Sequence, residues 1–441
     1  MDSNWILQRL QEQQAYLEIP SVAGNPAAVT QAVAWISARF QSLGATQAVQ
    51  WTEKGGNPVI FAEFAGNSAR TVLFYNHYDV QPANLLSEWR SDPFKPKFTA
   101  DYLIGRGVAD DKGDLLSRLT VLEYWQNHGG LPVKVKFMVE GEEEIGSPHV
   151  ASYVQAHQKE LAADLCIWEG GNRDEADNFE IICGAKGVVS FQAQVQTAAQ
   201  DLHSSLACYA DNAAWRLLQA LNSLRSTTGE IQVDGFFEGV QALTPAEEAT
   251  VQAMEFDPIT VRKNYGLWRP LMTKNPKEVL INGPTLNISA LTAGDARASL
   301  KTVVPSQARA LLDCRLVPGQ DPHHVVQLVA RQLERNGYGD VEIQYLQGEA
   351  AGRSDLNDPQ IQLSYQIAQQ IYGQQKVRII LNMAGGGPVT PFLKQLKLPL
   401  VMIGVRSAES KIHAPNENLR LQAYQQATVY LSTYLETLAR L

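Results

Sequence analysis

The densest chemistry in the chain lies in Val139-Glu140-Gly141-Glu142-Glu143-Glu144-Ile145-Gly146-Ser147. Four carboxylates in five positions repel one another unless water screens them or a cation neutralises them. Alone, the run reads as a solvated acidic turn. A bound divalent ion would instead hold the carboxylates ionised and invert the local electrostatics. Glu143 and Glu144 leave an extended segment as neighbours, so their side chains start toward opposite sides. One is then free to ligate a metal while the other faces water bound beside it. Further donor groups recur. His77 and Asp79 stand two apart, on one face of an extended chain, a spacing at which a carboxylate orients a metal-binding imidazole. Asp110 and Asp111 close the run Gly105-Arg106-Gly107-Val108-Ala109, and Glu169 ends another apolar stretch. For the aspartate pair there are two readings, an acidic cap on a glycine-rich turn and a carboxylate that bridges two ions.

These groups need elements to place them. Thr71–Asn76 is a continuous apolar run of the kind buried on both faces of a sheet, and it delivers His77. Val133–Val139 alternates as a strand and delivers the acidic cluster, after which Ser147-Pro148 reads as a cap and first turn of a helix to about Leu161. Asp164–Trp168 is a third short strand and delivers Glu169. Ligands in open α/β sheets bind at the carboxyl ends of strands, and three strand ends here carry metal-type donors. Asp110 and Asp111 precede a helix predicted from about Asp114 to Asn127, with Leu115, Leu119 and Leu122 on one stripe.

Composition narrows the classes. A chain of 441 residues exceeds what one core usually serves, so two domains are expected. The net charge of −9 and the lack of a basic stripe argue against nucleic acid. No apolar run approaches the roughly 18 residues of a membrane span, and Met1–Trp5 has no signal-peptide character. Cys166, Cys183, Cys208 and Cys314 are scattered, which reads as reduced thiols in a cytoplasmic protein and leaves His, Asp and Glu as the metal ligands.

From Gly187 the texture becomes that of a sheet with one wet face, Val189–Gln196 alternating cleanly. A helix at about Asn212–Leu224, an irregular stretch from Gly229 to Glu278, strands near Leu286–Leu291 and Ala308–Leu316, a helix at Pro322–Asn336 and a strand at Val341–Leu346 follow. The order β-α-β-β-α-β resembles a ferredoxin-like unit. The reading is therefore a catalytic domain in two parts, 1–186 and 354–441, with a domain inserted at 187–353. In the second part a helix spans Pro359–Tyr372, Asn382–Pro388 opens another, and Leu400–Val405 is a buried strand. Of eight histidines, His128, His149, His157, His323 and His324 fall on or beside predicted helices as surface or capping residues. His77, His203 and His413 sit in turns and are the candidates.

The set His77-Tyr78-Asp79, Gly105–Gly113, Glu143-Glu144-Ile145-Gly146-Ser147, Glu169 and His413 resembles the dinuclear zinc exopeptidases and deacylases. These comprise carnosinase-type dipeptidases, acetylornithine deacetylase, succinyl-diaminopimelate desuccinylase, aminoacylase and bacterial glutamate carboxypeptidase. The resemblance covers essentially the whole chain in order. Gly105–Gly113, Asp201-Leu202-His203-Ser204 and Lys301-Thr302-Val303-Val304-Pro305 lie nearest the dipeptidase branch. It implies an α/β, zinc-exopeptidase-like catalytic domain with an inserted ferredoxin-like α+β domain for lid and dimerisation. It implies two divalent ions per subunit, Zn2+ first, with Mn2+ or Co2+ also suited to such ligands. Asp110 would bridge the ions, His77 and Glu169 completing one ligand set, Glu144 and His413 the other. Asp79 would stand behind His77, Glu143 would be the general base, and the Asp110–Asp111 peptide would be cis. His203 would polarise the scissile carbonyl in the partner's active site, making the protein a homodimer, and Thr302 and Arg315 would contact substrate. One departure is visible. Where carnosinase-like dipeptidases carry an arginine–glutamate pair, Asn382–Gly387 is uncharged, leaving the Gly386 and Gly387 amides and Arg315 to meet a substrate carboxylate. The implied reaction is hydrolysis of dipeptides or short peptides. The alternative is an N-acyl amino acid deacylase, and the remote one an inactive binding protein of the same fold.

Overall fold

The computed structural model describes residues 1–294 and 301–441. Among them the chain forms two compact units. One comprises Met1–Gly184, Arg353–Asn382 and Gly387–Leu441; the other comprises Ala185–Gly352 and the short segment Met383–Gly386.

The first unit is built on a mixed sheet, and its middle decides where the chemistry goes. The apolar run becomes the strand Thr71–His77, with every residue after Thr71 buried. Lys134–Glu140 lies beside it, parallel, with His77 opposite Glu140. Leu165–Trp168 lies on its other flank, also parallel. Three neighbouring strands therefore point their carboxyl ends to one edge. The full order is Gln47–Trp51, Val59–Phe64, Lys134–Glu140, Thr71–His77, Leu165–Trp168, Leu400–Met402, Phe179–Ile182 and Val377–Ile380, with Asn172–Arg173 paired to Phe179–Ile182. Phe137 packs against Phe40 and Phe74 at ring separations of 4.9 and 5.1 Å, and Trp168 stacks on Tyr75 at 3.5 Å. Each such fully buried apolar side chain contributes about 1.5–3 kcal/mol.

The helix after Asp111 runs Lys112–Gln126, and it is buried on all sides through Leu122 rather than along one leucine stripe. It is sandwiched between the sheet and the C-terminal helix Leu421–Leu438, which it meets through Ser117–Thr428 and Thr120–Tyr424 hydroxyl contacts at 3.1 and 3.2 Å. Full enclosure explains its buried Arg118. That guanidinium donates to the carbonyls of Tyr75 and Trp168, bracing the ends of two central strands.

Two local expectations are corrected. Ser147 does not cap a helix: it adopts a positive φ of 45° and donates its hydroxyl to Glu140 at 2.8 Å, while the helix starts at Val150, ends at Ala156 and resumes as Gln158–Leu161. The Asn382–Pro388 run opens no long helix either. Its glycines leave the backbone irregular, and only a short π-helical turn, Pro391–Gln395, follows.

The second unit carries the four-stranded antiparallel sheet Asn287–Ala293, Gln307–Leu316, Gly187–Gln196, Glu342–Glu349. Numbered along the chain this is 2-3-1-4, the ferredoxin-like order. The helices Ala213–Asn222 and Pro322–Arg335 cover one face, where Val189, Phe191, Ala193 and Val195 meet Leu217, Val325 and Val329. The stretch read as irregular contains three short helices, Pro245–Ala253, Pro258–Asn264 and Pro276–Asn282. Each begins on proline, whose fixed φ suits the first helical position, and Thr244 and Asp257 cap two of them. Among the described residues, no helix is long and apolar enough to cross a membrane.

Candidate active site

At the carboxyl edge of the first unit's sheet, separate turns converge on Asp110. Its Oδ1 lies 3.1 Å from His77 Nε2, and its Oδ2 lies 3.0 Å from His413 Nε2. His413 Nε2 is also 3.1 Å from Glu144 Oε2. His77, Asp110 and Glu169 thus form one cluster with donor atoms within 4.8 Å of one another, and Asp110, Glu144 and His413 form a second. The two share only Asp110, one oxygen turned toward each. Donors bound to one zinc ion at about 2.0–2.1 Å in a tetrahedron stand roughly 3.3 Å apart, so the spacings fit a pair of divalent ions. The charge balance fits as well. Burial alone would lower the His77 imidazole, but Asp110 and Asp79 carry it well up, and hydrogen bonds to Asp110 and Glu144 push His413 to about 10. The cluster stabilises positive charge.

Local structure explains the placement. His77 Nδ1 is 3.0 Å from the Asp79 carbonyl and 3.3 Å from its Oδ1, which turns Nε2 toward Asp110. The Asp79 carboxylate also accepts the amides of Glu143 at 3.2 Å and Glu144 at 3.0 Å. One residue therefore orients the imidazole and fixes where both glutamates begin. Glu143 is pushed well above the usual carboxylate range by burial, with Glu169, Asp110 and Glu144 adding to the shift against His77. Asp111, joined to Asp110 by a cis peptide, points elsewhere: its Oδ2 accepts the Asn76 side chain at 2.6 Å and the His77 amide at 2.9 Å. A third acidic group, Asp111, Asp114 and Glu169, also comes together. There Asp114 is occupied by backbone, accepting the Gly170 and Val405 amides at 2.7 Å each.

On the second unit, His203 pairs with Val303 in a short ladder, and the Thr302 carbonyl accepts the Ser204 amide at 3.1 Å; His203 and Thr302 are both exposed. The Ser205 amide donates to His203 Nδ1 at 3.2 Å. Arg315 and Gly386 are neighbours, a Cβ on Gly386 falling 3.4 Å from Arg315 Nη1. Gly387 belongs to the first unit. Among the histidines set aside, His149 contacts Glu142 at 2.6 Å, and His157 is half-buried, stacked 3.7 Å from the Trp51 ring and paired with Glu53.

Three residues that the sequence reading does not single out belong here. Gln81 holds Glu144, giving its amide to Oε1 at 3.1 Å and its side-chain nitrogen to Oε2 at 2.8 Å. The signal was present: the two-residue spacing linking His77 to Asp79 continues to Gln81. Glu417 is buried and accepts from Arg106 at 2.7 Å and from the amides of Gly107, Ala109 and Asp110 at 2.9–3.1 Å, shaping the loop that presents Asp110. Arg406 donates from Nη2 to both Asp110 and Glu169. Neither stands in any periodic pattern.

A strand-edge site of two ligand clusters sharing one carboxylate defines a metallohydrolase of the α/β class, and the comparisons agree. The chain belongs to peptidase family M20/M25/M40, whose profile matches residues 73–437. It is 25% identical over 404 residues to the Cys-Gly metallodipeptidase dug1 of Schizosaccharomyces pombe, covering 87% of this chain and 83% of that one. It is 25% identical over 401 residues to the Beta-Ala-His dipeptidase of Homo sapiens, covering 87% and 78%. Among solved structures, the M20 family metallo-carboxypeptidase Sso-CP2 from Sulfolobus solfataricus superposes with a TM-score of 0.92 at 30% identity, covering 100% of both chains.

Proposed function

We propose that this metallopeptidase hydrolyses the amide bond of dipeptides or short peptides, with Glu143 as general base. Two divalent ions, Zn2+ in the first place, would be held by His77, Asp110 and Glu169 and by Asp110, Glu144 and His413. The observation that carries the reading is the divided Asp110 carboxylate, one oxygen facing His77 and the other His413. When bound, the ions supply Lewis-acid polarisation of the scissile carbonyl and lower the pKa of water. The remaining work falls to the chain. Glu143 takes the proton of the attacking water on a carboxylate oxygen and hands it to the departing amine nitrogen. Asp79 keeps His77 in the tautomer with Nδ1 protonated, so that Nε2 offers its lone pair.

His203, with Nδ1 accepting from Ser205, carries its proton on Nε2 and suits an oxyanion forming on the carbonyl. We assign it that role in a second copy, in a homodimer formed through the second unit. An open edge supports this: strand Asn287–Ala293 is exposed along its length, with Ile288 and Leu291 uncovered. Arg315, Thr302 and the Gly386 and Gly387 amides are assigned to the substrate's carboxylate end. Four cysteines without disulfides fit a cytoplasmic location.

The test is a panel of dipeptides and N-acetyl or N-succinyl amino acids, run on apo protein reloaded with zinc, manganese or cobalt. Turnover that needs a free α-amino group supports the peptidase reading. Hydrolysis confined to N-acyl amino acids replaces it with the deacylase one.

A further inference from the structure

Arg406 stands inside the carboxylate cluster, bonded to two of its acids. Its Nη2 donates to Asp110 Oδ1 and, at 2.6 Å, to Glu169 Oε2. Its Nε donates to the Ala109 carbonyl at 3.3 Å. The guanidinium is seated rather than loosely placed. Nη1 lies 2.7 Å from where a Cβ on Gly170 would be, and Gly170 holds a φ of +82°, so the backbone passes close beside the guanidinium. The backbone behind it is pinned too. Asp114 accepts the Val405 amide, and a Cβ on Gly404 would meet Asp114 at 2.3 Å. The side chain is only 15% exposed.

These contacts are one-sided. Both carboxylates that Arg406 touches belong to the His77–Asp110–Glu169 cluster, and the Asp110 oxygen involved faces His77 rather than His413. Oδ2 of Asp110, Glu144 and His413 form the other cluster. A fixed unit charge and a divalent ion that draw on the same oxygens repel each other at near-contact range, where little solvent screens them. An arginine cannot relieve this by losing its proton.

We propose that Arg406 is a resident cation that makes the two metal positions unequal. It competes for Asp110 and Glu169, so the Asp110–Glu144–His413 position fills first and the His77–Asp110–Glu169 position is weaker and exchangeable. This rests on the dinuclear reading above. It concerns occupancy, and its test does not depend on turnover.

The experiment is calorimetric titration of the chelator-stripped full-length protein with Zn2+ alone, with the bound metal counted by elemental analysis. The wild type should take up two ions in two steps whose dissociation constants differ by roughly thirtyfold or more, the lower bound set by a unit charge and a divalent ion about 4 Å apart screened as in water. Arg406→Gln should tighten the second step and close most of that gap. Glu169→Gln should abolish the second step and leave the first. Two equal steps in the wild type overturn the proposal even if no variant folds. So does a gap unchanged in Arg406→Gln, or a second step that weakens there, which would make Arg406 a support for the ion. Uptake of no zinc by the wild type removes the dinuclear reading itself, an outcome distinct from the others.

Discussion

Glu143 and Glu144 are adjacent in sequence but answer to different partners, and under the proposed function the first would carry the proton and the second would hold a metal ion. The Glu144 carboxylate is held by Gln81 and His413, whereas Glu143 is held through its backbone, its amide on Asp79 and its carbonyl on the Gly146 amide, and its side chain faces the field of three other carboxylates. Replacing Glu143 with glutamine keeps the shape and removes the base. Turnover should fall by about 10²–10⁴-fold while the bound metal, counted by elemental analysis, is unchanged; loss of metal instead would make Glu143 a ligand. Glu140, three residues earlier, is a separate case. Burial pushes its carboxyl up to about 8 from an ordinary 4.5, with Tyr75 and Ser147 donating to it. Between those values the folded chain holds a proton the unfolded chain has released. Its contribution to stability is therefore complete below pH 4.5 and lost as the pH rises toward 8. Glu140→Gln should flatten the decline in melting temperature between pH 5 and 8, read from thermal scans of the two proteins side by side.

At the scale of elements, the site is three parallel strand ends plus two loops that must be held against them. Glu417 does much of the holding, since one carboxylate receives Arg106 and three successive loop amides. The Arg106 and Glu417 side chains are 2% and 1% exposed, so removing one leaves a buried charge without its partner. Glu417→Ala should cost about 3–5 kcal/mol, visible as a lower denaturant midpoint, and should weaken zinc uptake as the Asp110 loop loosens. This is also the scale at which the sequence was most and least readable. The strands behind His77, Glu143 and Glu169 could be read because an apolar run that stops at a charged residue is a strong local signal. Alternation across 189–196 likewise marked the wet-faced sheet. The loops were opaque, because Glu417 and Arg406 act on residues some 300 positions away and no local pattern encodes that. Ser147 misled for a related reason: its hydroxyl serves the buried Glu140 instead of a helix end, and a tertiary partner outweighed the capping preference. The proline-started helices of the inserted unit were obscured by their shortness.

For the molecule as a whole, metal and stability are coupled. The ligands come from strand ends and loops that the unfolded chain does not bring together, so an ion that binds only the folded form stabilises it by about 2.7 kcal/mol at a hundredfold excess over its dissociation constant. Chelator treatment should lower the melting temperature and abolish turnover together, and zinc should restore both. Light scattering should give twice the 48.6 kDa chain mass if the second unit pairs through its open edge; a monomer at working concentration would leave His203 without its assigned task. The path of the chain has one more consequence. Asp110 and the amides around it are translated long before the carboxylate that organises them, because Glu417 and His413 lie beyond the whole inserted unit. A polypeptide still emerging from the ribosome thus carries most of the donor residues and none of the clasp. The Asp110–Glu144–His413 cluster is therefore incomplete on every nascent chain until the stretch just before the last helix has been made.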